Sequence, residues 1–579
     1  MPTATGVTES QLHFNNWPND RGFDANYEER SPVELAVTGC IPSYAAGVLY
    51  RTGPGKYKVD GENGDTFQVS HWFDGFSETH RFRLVGSDAT QPSMRVFYNS
   101  RFSTDYLMEE ARKTGRLEKI SFGQKRDPCK TVFQKAQSEF SPDPSSANMR
   151  GLDKPVGENQ LAVFQKAQGE LNPDPSSANI GVTLSVNMPG LDKAMDARWT
   201  GSSGIKTLYA KTDSTAYKKL DPETLEPIGL ASQKDLHPDL DGPMSASHAR
   251  SDPITGDVYN FNLAFGKSST YRVFHVSAST GETTILATFE GTPAYLHSLF
   301  LSGDYVILCV WNAHLNPTVL KNGSFLQAIR PFDASEPTKW YVVDRTRGQG
   351  LVATYESPPF FCFHTINAWQ EDAVNGSGVD IVTEFVRYDN ADTLHMLYYE
   401  NLISSSTEAK AHARDKKDTF RPEFARFRLS NIPTGPSTEI KVATAEWMIC
   451  KDLAPELPTM NPKLVTQKHR YTYAITARDE STFFDGIVKF DSQTKTTLLW
   501  NHHAQSPGEP IFVPRPDGSE EDDGVLLSVV LDGYSSKSYL LCLDAKTLKE
   551  LGRAQVNGPI GFGFHGQHIP ANGVPTGDY

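Results

Sequence analysis

Val488-Lys-Phe-Asp-Ser-Gln-Thr-Lys-Thr-Thr497 ends a β-branched and aromatic run on an aspartate, steps through a polar turn containing threonine, and resumes as a second strand. The same unit returns as Tyr217-Lys-Lys-Leu-Asp-Pro-Glu-Thr-Leu-Glu226, Val273-Phe-His-Val-Ser-Ala-Ser-Thr-Gly-Glu282 and Leu541-Cys-Leu-Asp-Ala-Lys-Thr-Leu-Lys-Glu550. Asp, Ser and Thr side chains bond their own backbone in tight turns, so each unit reads as a hairpin. Hairpins of one style spread over several hundred residues, with few helices between them, point to a β-propeller. A pair of β-sandwiches is the competing architecture.

Outward from these units the chain continues as strand. Tyr305–Trp311, Gly378–Tyr388, Tyr471–Ala477 and Gly524–Leu531 are apolar runs bounded by Gly, Pro, Asn or Asp. Helical character is clearest at Asp105–Leu117. Val132–Asn148 and Val163–Asn179 share Val-Phe-Gln-Lys-Ala-Gln and Pro-Asp-Pro-Ser-Ser-Ala-Asn, a local tandem duplication that reads as a surface insertion between strands.

Composition removes several classes of function. The 579 residues carry a net charge of −14, which argues against nucleic acid as a partner. Hydrophobic residues at 38% suffice for a packed interior, and no window reads as a spanning helix or secretory signal. Six scattered cysteines without a Cys-x-x-Cys pair argue against a disulfide scaffold or thiolate zinc site and favour a reducing, cytoplasmic location. Gly561-Phe-Gly-Phe-His-Gly566 has dinucleotide-loop spacing, but the chain stops 13 residues later, too soon for the crossover helix and second strand.

Histidine is the specific signal. Four of the 16 stand at strand boundaries among small, glycine or aromatic residues: His248 in Ser-Ala-Ser-His-Ala-Arg, His297 in Tyr-Leu-His-Ser, His364 in Phe-Cys-Phe-His-Thr-Ile-Asn, and His565 in Gly-Phe-His-Gly. Their spacings of 49, 67 and 201 residues exclude one helix or hairpin. Propeller blades all begin near the central axis, so one imidazole from each of four blades can converge there. Four neutral imidazoles suit a divalent transition metal, and carboxylates bonded to the outer ring nitrogens would fix the tautomers and offset charge.

With these residues in hand, the chain resembles the carotenoid cleavage oxygenases, the family that includes the retinoid isomerase of the eye's pigment epithelium, and its texture is that of fungal members. The resemblance runs from Gly39-Cys-Ile-Pro-Ser and Tyr50-Arg-Thr-Gly-Pro through His71-Trp-Phe-Asp-Gly75, Asp127-Pro-Cys-Lys130, the four histidine contexts and Tyr471-Thr-Tyr-Ala474. It ends with Glu509-Pro-Ile-Phe-Val-Pro and Glu521-Asp-Asp-Gly-Val-Leu-Leu-Ser528. It implies an all-β, seven-bladed propeller capped by loops and short helices, formed by residues 36–579 after an N-terminal extension of residues 1–35, with the duplication at 132–179 as an insertion. It also implies Fe(II) held by His248, His297, His364 and His565, with Asp213, Glu423 and Glu509 as the acids behind them. The family pattern has Glu where this chain has Asp213, so the shorter side chain is expected to reach His297 through water or after a backbone shift.

The implied reaction is O2-dependent cleavage of a carbon–carbon double bond in a carotenoid or apocarotenoid such as β-carotene or torulene, giving aldehydes or ketones. No catalytic side chain beyond the metal centre is expected. Phe361, Phe363, Trp369, Phe562 and Phe564 stand beside the ligands and could line the substrate passage, although packing between blades is the simpler reading for each. An apolar polyene must be collected from a bilayer, so peripheral membrane contact is expected near Phe102–Phe133, with no obligate protein partner. Stilbene cleavage and non-oxidative retinoid isomerohydrolysis are the alternative activities, and a binding-only propeller is opposed by the complete histidine set.

Overall fold

All four polar turns join adjacent antiparallel strands, three of them the third and fourth strands of four-stranded sheets and the one at Asp544 two strands of a ten-stranded sheet. In three of them the leading aspartate caps the turn: Asp221 Oδ1 accepts from Glu223 N and Thr224 N, Asp491 Oδ1 from Gln493 N and Thr494 N, and Asp544 Oδ1 from Thr547 N. Ser277 Oγ accepts from Thr280 N in the fourth. Each turn closes with a residue of positive φ four places after its leading residue: Leu225, Gly281, Lys495 and Leu548. The N–H of that residue bonds back to the leading carbonyl at 2.8–2.9 Å. The recurring letters are thus a recurring turn geometry.

The computed structural model describes residues 17–86, 93–117, 121–125, 174–191, 204–320, 323–373, 378–409, 411 and 421–571. Within them the strands group into seven blades, numbered here from the N-terminus. Their innermost strands are His565–Pro570 (blade 1), Thr183–Val186 (2), Arg250–Ser251 (3), Phe300–Leu301 (4), Phe361–Asp372 (5) and Glu456–Thr459 (6). In blade 7 the innermost strand is interrupted, as Gln505–Pro507 and Ile511–Pro514.

Blade 1 closes the ring. Its innermost strand comes from the C-terminal end and pairs antiparallel with Gly47–Lys56 near the N-terminal end, with Val48 opposite Ile569 and Thr52 opposite His565. Val33–Gly39 adds a second tie by pairing with the outer strands of blades 7 and 1 at once. This strand begins ahead of the boundary expected at residue 36, and residues of the preceding stretch are also integrated: Trp17 and Phe23 are buried, and Trp17 donates to Ser506 Oγ. Blades 4 and 5 are joined through a parallel pairing of Thr354–Glu356 with Ile440–Val442.

The helix expected at Asp105–Leu117 spans Asp105–Thr114, stopped by Gly115 in the left-handed region at φ 67°. No helix among the described residues is long and apolar enough to cross a membrane. The duplication lies outside the described residues except for its end, where Asn179 accepts from Ser77 N and donates to Asp74 O and Gly75 O.

Ile569 is 1% exposed and packs with Val48, Leu184 and Leu208 between blades 1 and 2. Ile569→Ala is expected to cost about 2–5 kcal/mol through the cavity it leaves, whereas Ile254→Ala, at a position 91% exposed, should change stability by less than about 0.5 kcal/mol. Thermal unfolding midpoints compare the two; equal midpoints would refute the role given to the closing strand.

Candidate metal centre

Each blade sends one chemically informative side chain toward the axis. His565 opens the inner strand of blade 1, and His248 and His297 lie just ahead of the short inner strands of blades 3 and 4. His364 sits inside the inner strand of blade 5. Asp213 lies in the turn between Leu208–Lys211 and Ala216–Leu220 of blade 2, Glu456 opens the inner strand of blade 6, and Glu509 occupies the interruption in blade 7.

Local backbone devices aim these groups. The register of blade 5 shifts between Cys362 and Thr365 and again between Thr365 and Asn367, so His364 lies within the first of two consecutive bulges. Ser298 Oγ takes up the backbone groups this leaves, donating to Phe363 O at 2.8 Å and accepting from Thr365 N at 3.0 Å. His248 N donates to His297 O at 3.1 Å, tying two of the histidines through backbone. The glycines around His565 are packing glycines: a Cβ on Gly561 would stand 2.3 Å from Pro54 O, and one on Gly566 2.6 Å from Tyr50 O.

The four histidines meet. One ligand atom from each lies within 4.8 Å of all the others. Nε2 of His565 is 2.9 Å from Nε2 of His248 and 3.2 Å from Nε2 of His364. On the outer side, His297 Nδ1 is 2.8 Å from Asp213 Oδ1, His364 Nδ1 is 2.6 Å from Glu456 Oε2, and His565 Nδ1 is 2.8 Å from Glu509 Oε1. His248 has no carboxylate partner among the described residues.

One expectation needs correction. Glu423 does not stand behind a histidine. It opens the third strand of blade 5, two strands from the axis, and its Oε1 accepts from Arg387 Nη1 at 2.7 Å. Glu456, at the inner edge of the next blade, takes the position beside His364. Asp213 needs no water to reach His297, because its own carbonyl accepts from Ser245 N at 3.1 Å and its Oδ1 from Ser247 N at 3.2 Å. Those bonds hold the turn that carries Asp213 against the chain leading into His248.

Burial holds His248 and His565 far below the ordinary imidazole range, and the neighbouring rings add to the effect, so both are neutral at pH 7. Burial pushes Glu509 up to about 7 against the pull of Arg51, and a dication among the rings would draw it down again. Burial also raises Glu456, but His364, the Leu457 N–H and the Tyr388 hydroxyl outweigh it and leave the carboxyl below its usual range. An imidazole that donates Nδ1–H to a carboxylate turns a bare lone pair inward at Nε2. Several lone pairs at about 3 Å repel one another unless a cation lies between them, so the donor set fits a divalent transition metal.

A cavity of about 1200 Å³ opens on this centre, bounded by His297, His364, His565 and an aromatic wall. Phe73 is at the middle of that wall, with ring centroids 4.8 Å from Phe122, 5.8 Å from Phe363 and 5.5 Å from Phe564. This explains His71-Trp-Phe-Asp-Gly75: His71 Nδ1 accepts from Phe73 N, and the Asp74 carboxylate accepts from Phe122 N and Gly123 N. His71 itself is structural, buried and bonded to Leu394 O, its pKa driven to about 3 by burial.

Residues 22–570 match the family described as retinal pigment epithelial membrane protein. The chain belongs to this family, the carotenoid cleavage oxygenases. It is 41% identical to the carotenoid dioxygenase of Neurospora crassa, over 97% of this chain and 93% of that one. Identity to the torulene dioxygenase of Gibberella fujikuroi is 37%, over 98% and 96% respectively. The cobalt-substituted apocarotenoid oxygenase of Synechocystis shares the fold, with a TM-score of 0.67, 21% identity and coverage of 96% of this chain and 99% of that one.

Of the five aromatics expected beside the centre, Phe363 and Phe564 border the cavity. Phe361 packs against Phe363 and Tyr388, Trp369 edges onto His469, and Phe562 packs with Phe23 and Phe483. Within the segment expected to face a membrane, Leu107, Leu117, Phe122 and Gln124 border the cavity and Tyr106 is half exposed. The sequence reading missed Glu456, Tyr295 and Tyr388, the last two being cavity-wall tyrosines bonded to Asp213 and Glu456.

Removing the charge behind His364 should loosen metal binding without unfolding the blade. Glu456→Gln is expected to weaken divalent-metal affinity by about 10 to 100-fold, while Glu423→Gln leaves it unchanged. Competition titration against a chelator distinguishes them, and the opposite order would return Glu423 to the site.

Proposed function

We propose that this chain is a non-haem Fe(II) dioxygenase that splits a carbon–carbon double bond of a carotenoid or apocarotenoid with O2 to give two carbonyl fragments. The observation that carries the reading is the aromatic-walled cavity opening directly on a four-histidine centre. The names of its fungal relatives, carotenoid dioxygenase and torulene dioxygenase, point to the same substrate class.

His248, His297, His364 and His565 would hold the ion. Ferrous iron supplies a position and electron density for activating O2 beside the double bond. The rest falls to the protein: Phe73, Phe122, Phe363 and Phe564 offer flat apolar surfaces that orient a rigid polyene and keep water from the reacting carbons. Their faces also favour positive charge developing along a polyene.

Cleavage of one double bond by one O2 into two carbonyls balances without a proton, reductant or water. The site matches that economy, since both oxygens of Asp213, Glu456 and Glu509 are already bonded within the protein. None of these three carboxylates is left free to act as an acid or base. Such substrates reside in bilayers, so the proposal includes peripheral membrane contact where the segment around Tyr106 and Leu117 meets the cavity.

Iron-loaded protein incubated with β-carotene, torulene, an apocarotenal and a stilbene under ¹⁸O2 tests the assignment by mass spectrometry. Label in both carbonyl products of a carotenoid is expected, with no added nicotinamide or flavin. Turnover without O2 would overturn it in favour of isomerohydrolysis, and cleavage of the stilbene alone would move the substrate class. Chelation should abolish turnover and added Fe(II) restore it.

A further inference from the structure

Each acid behind a histidine presents one oxygen to the imidazole, and a different donor holds its other oxygen. Asp213 Oδ2 accepts from the Tyr295 hydroxyl at 3.0 Å and Glu456 Oε1 from the Tyr388 hydroxyl at 2.7 Å. Glu509 Oε2 accepts from Arg51 Nη1 at 2.6 Å and from Gly566 N at 2.8 Å. The donors differ by location. Tyr295 and Tyr388 border the cavity, and Arg51 does not.

That division has a physical reason. A guanidinium facing an apolar ligand would lose its hydration without compensation, whereas tyrosine offers a neutral O–H on one side and an aromatic face on the other. With its other oxygen unheld, the carboxylate would be fixed on one side only, by the imidazole and one backbone N–H (Ser247 N on Asp213, Leu457 N on Glu456), and would orient the imidazole less firmly. Both tyrosines are buried, Tyr295 at 1% and Tyr388 at 5% exposure.

We propose that Tyr295 and Tyr388 are positioning residues of the metal centre: through Asp213 and Glu456 they fix the orientation of His297 and His364 while their rings form the cavity wall. The inference rests on the reading of the histidine cluster as a divalent-metal site. It concerns the ligands' geometry and does not depend on which polyene is cleaved.

Cobalt(II) is the probe, because its visible absorption reports ligand geometry without turnover. Tyr295→Phe and Tyr388→Phe each remove one oxygen and keep the ring. Each is expected to weaken cobalt affinity by about 10-fold, the lower end of the range for outer hydrogen-bond partners of metal ligands, and to shift the cobalt absorption bands. Tyr388→Phe introduced into Glu456→Gln should add less than about 2-fold, because its effect runs through Glu456. Tyr355→Phe is the control: that tyrosine is buried on the outer strand of blade 4 and donates to Ser430 O away from the cavity, so affinity and spectrum should hold.

Unchanged affinity and spectrum in both cavity variants would overturn the proposal, as would an equal loss in Tyr355→Phe or fully multiplicative losses in the double variant. Should Tyr295→Phe fail to fold, Tyr388→Phe and its double variant decide alone. Wild-type protein that takes up no cobalt would end the metal reading itself, an outcome separable from normal uptake that the tyrosine variants leave unaltered.

Discussion

Bare imidazole nitrogens facing one another across about 3 Å are the constraint on which the architecture turns. Lone pairs do not gather in a buried site by themselves. They are brought together by backbone, and the arrangement is tenable only with positive charge among them. A dication, three carboxylates and the Arg51 guanidinium that contacts one of them balance in charge, which lessens the cost of burying so many ionic groups. The acids therefore do more than orient rings: without them the centre would carry uncompensated charge in a poorly solvated interior.

The propeller meets that constraint by closing on itself. Four histidines and three acids, one from each blade, hold a common centre only if the ring of blades cannot open. The pairing of the C-terminal strand His565–Pro570 with Gly47–Lys56 therefore serves two ends at once, since the strand that closes the ring starts with a ligand histidine. Arg51 lies on the partner strand and reaches Glu509 on blade 7, so the junction between first and last blades is also where one acid is fixed. Closure and metal site are built from the same few residues.

Much of this was legible in the letters. The Asp or Ser that leads each turn and the Thr three residues later announced the hairpins because side-chain capping of a tight turn is local physics. The histidines stood out because a ring that must reach an axis between packed strands needs small or aromatic neighbours. The acids were harder. Glu423 and Glu456 both follow proline, and nothing in either neighbourhood says how many strands separate it from the axis. That number depends on blade register: the third strand of blade 5 for one, the first strand of blade 6 for the other. Tyr295 and Tyr388 were hidden for the same reason, since their significance lies in what their hydroxyls touch across blades.

Asp213 shows how register and side-chain length trade against each other. It belongs to blade 2 but bonds His297 of blade 4, passing over blade 3. The residues it passes, Ser245 and Ser247, lead into His248, and both donate backbone N–H groups to Asp213. One short side chain thereby fixes the approach of His248 through backbone and the ring of His297 through Nδ1. A longer acid on the same turn would have to fold back to keep the bond to Ser247 N. The aspartate is accordingly matched to a turn held against the chain that leads into His248, and His248, with no carboxylate partner among the described residues, is held by that chain.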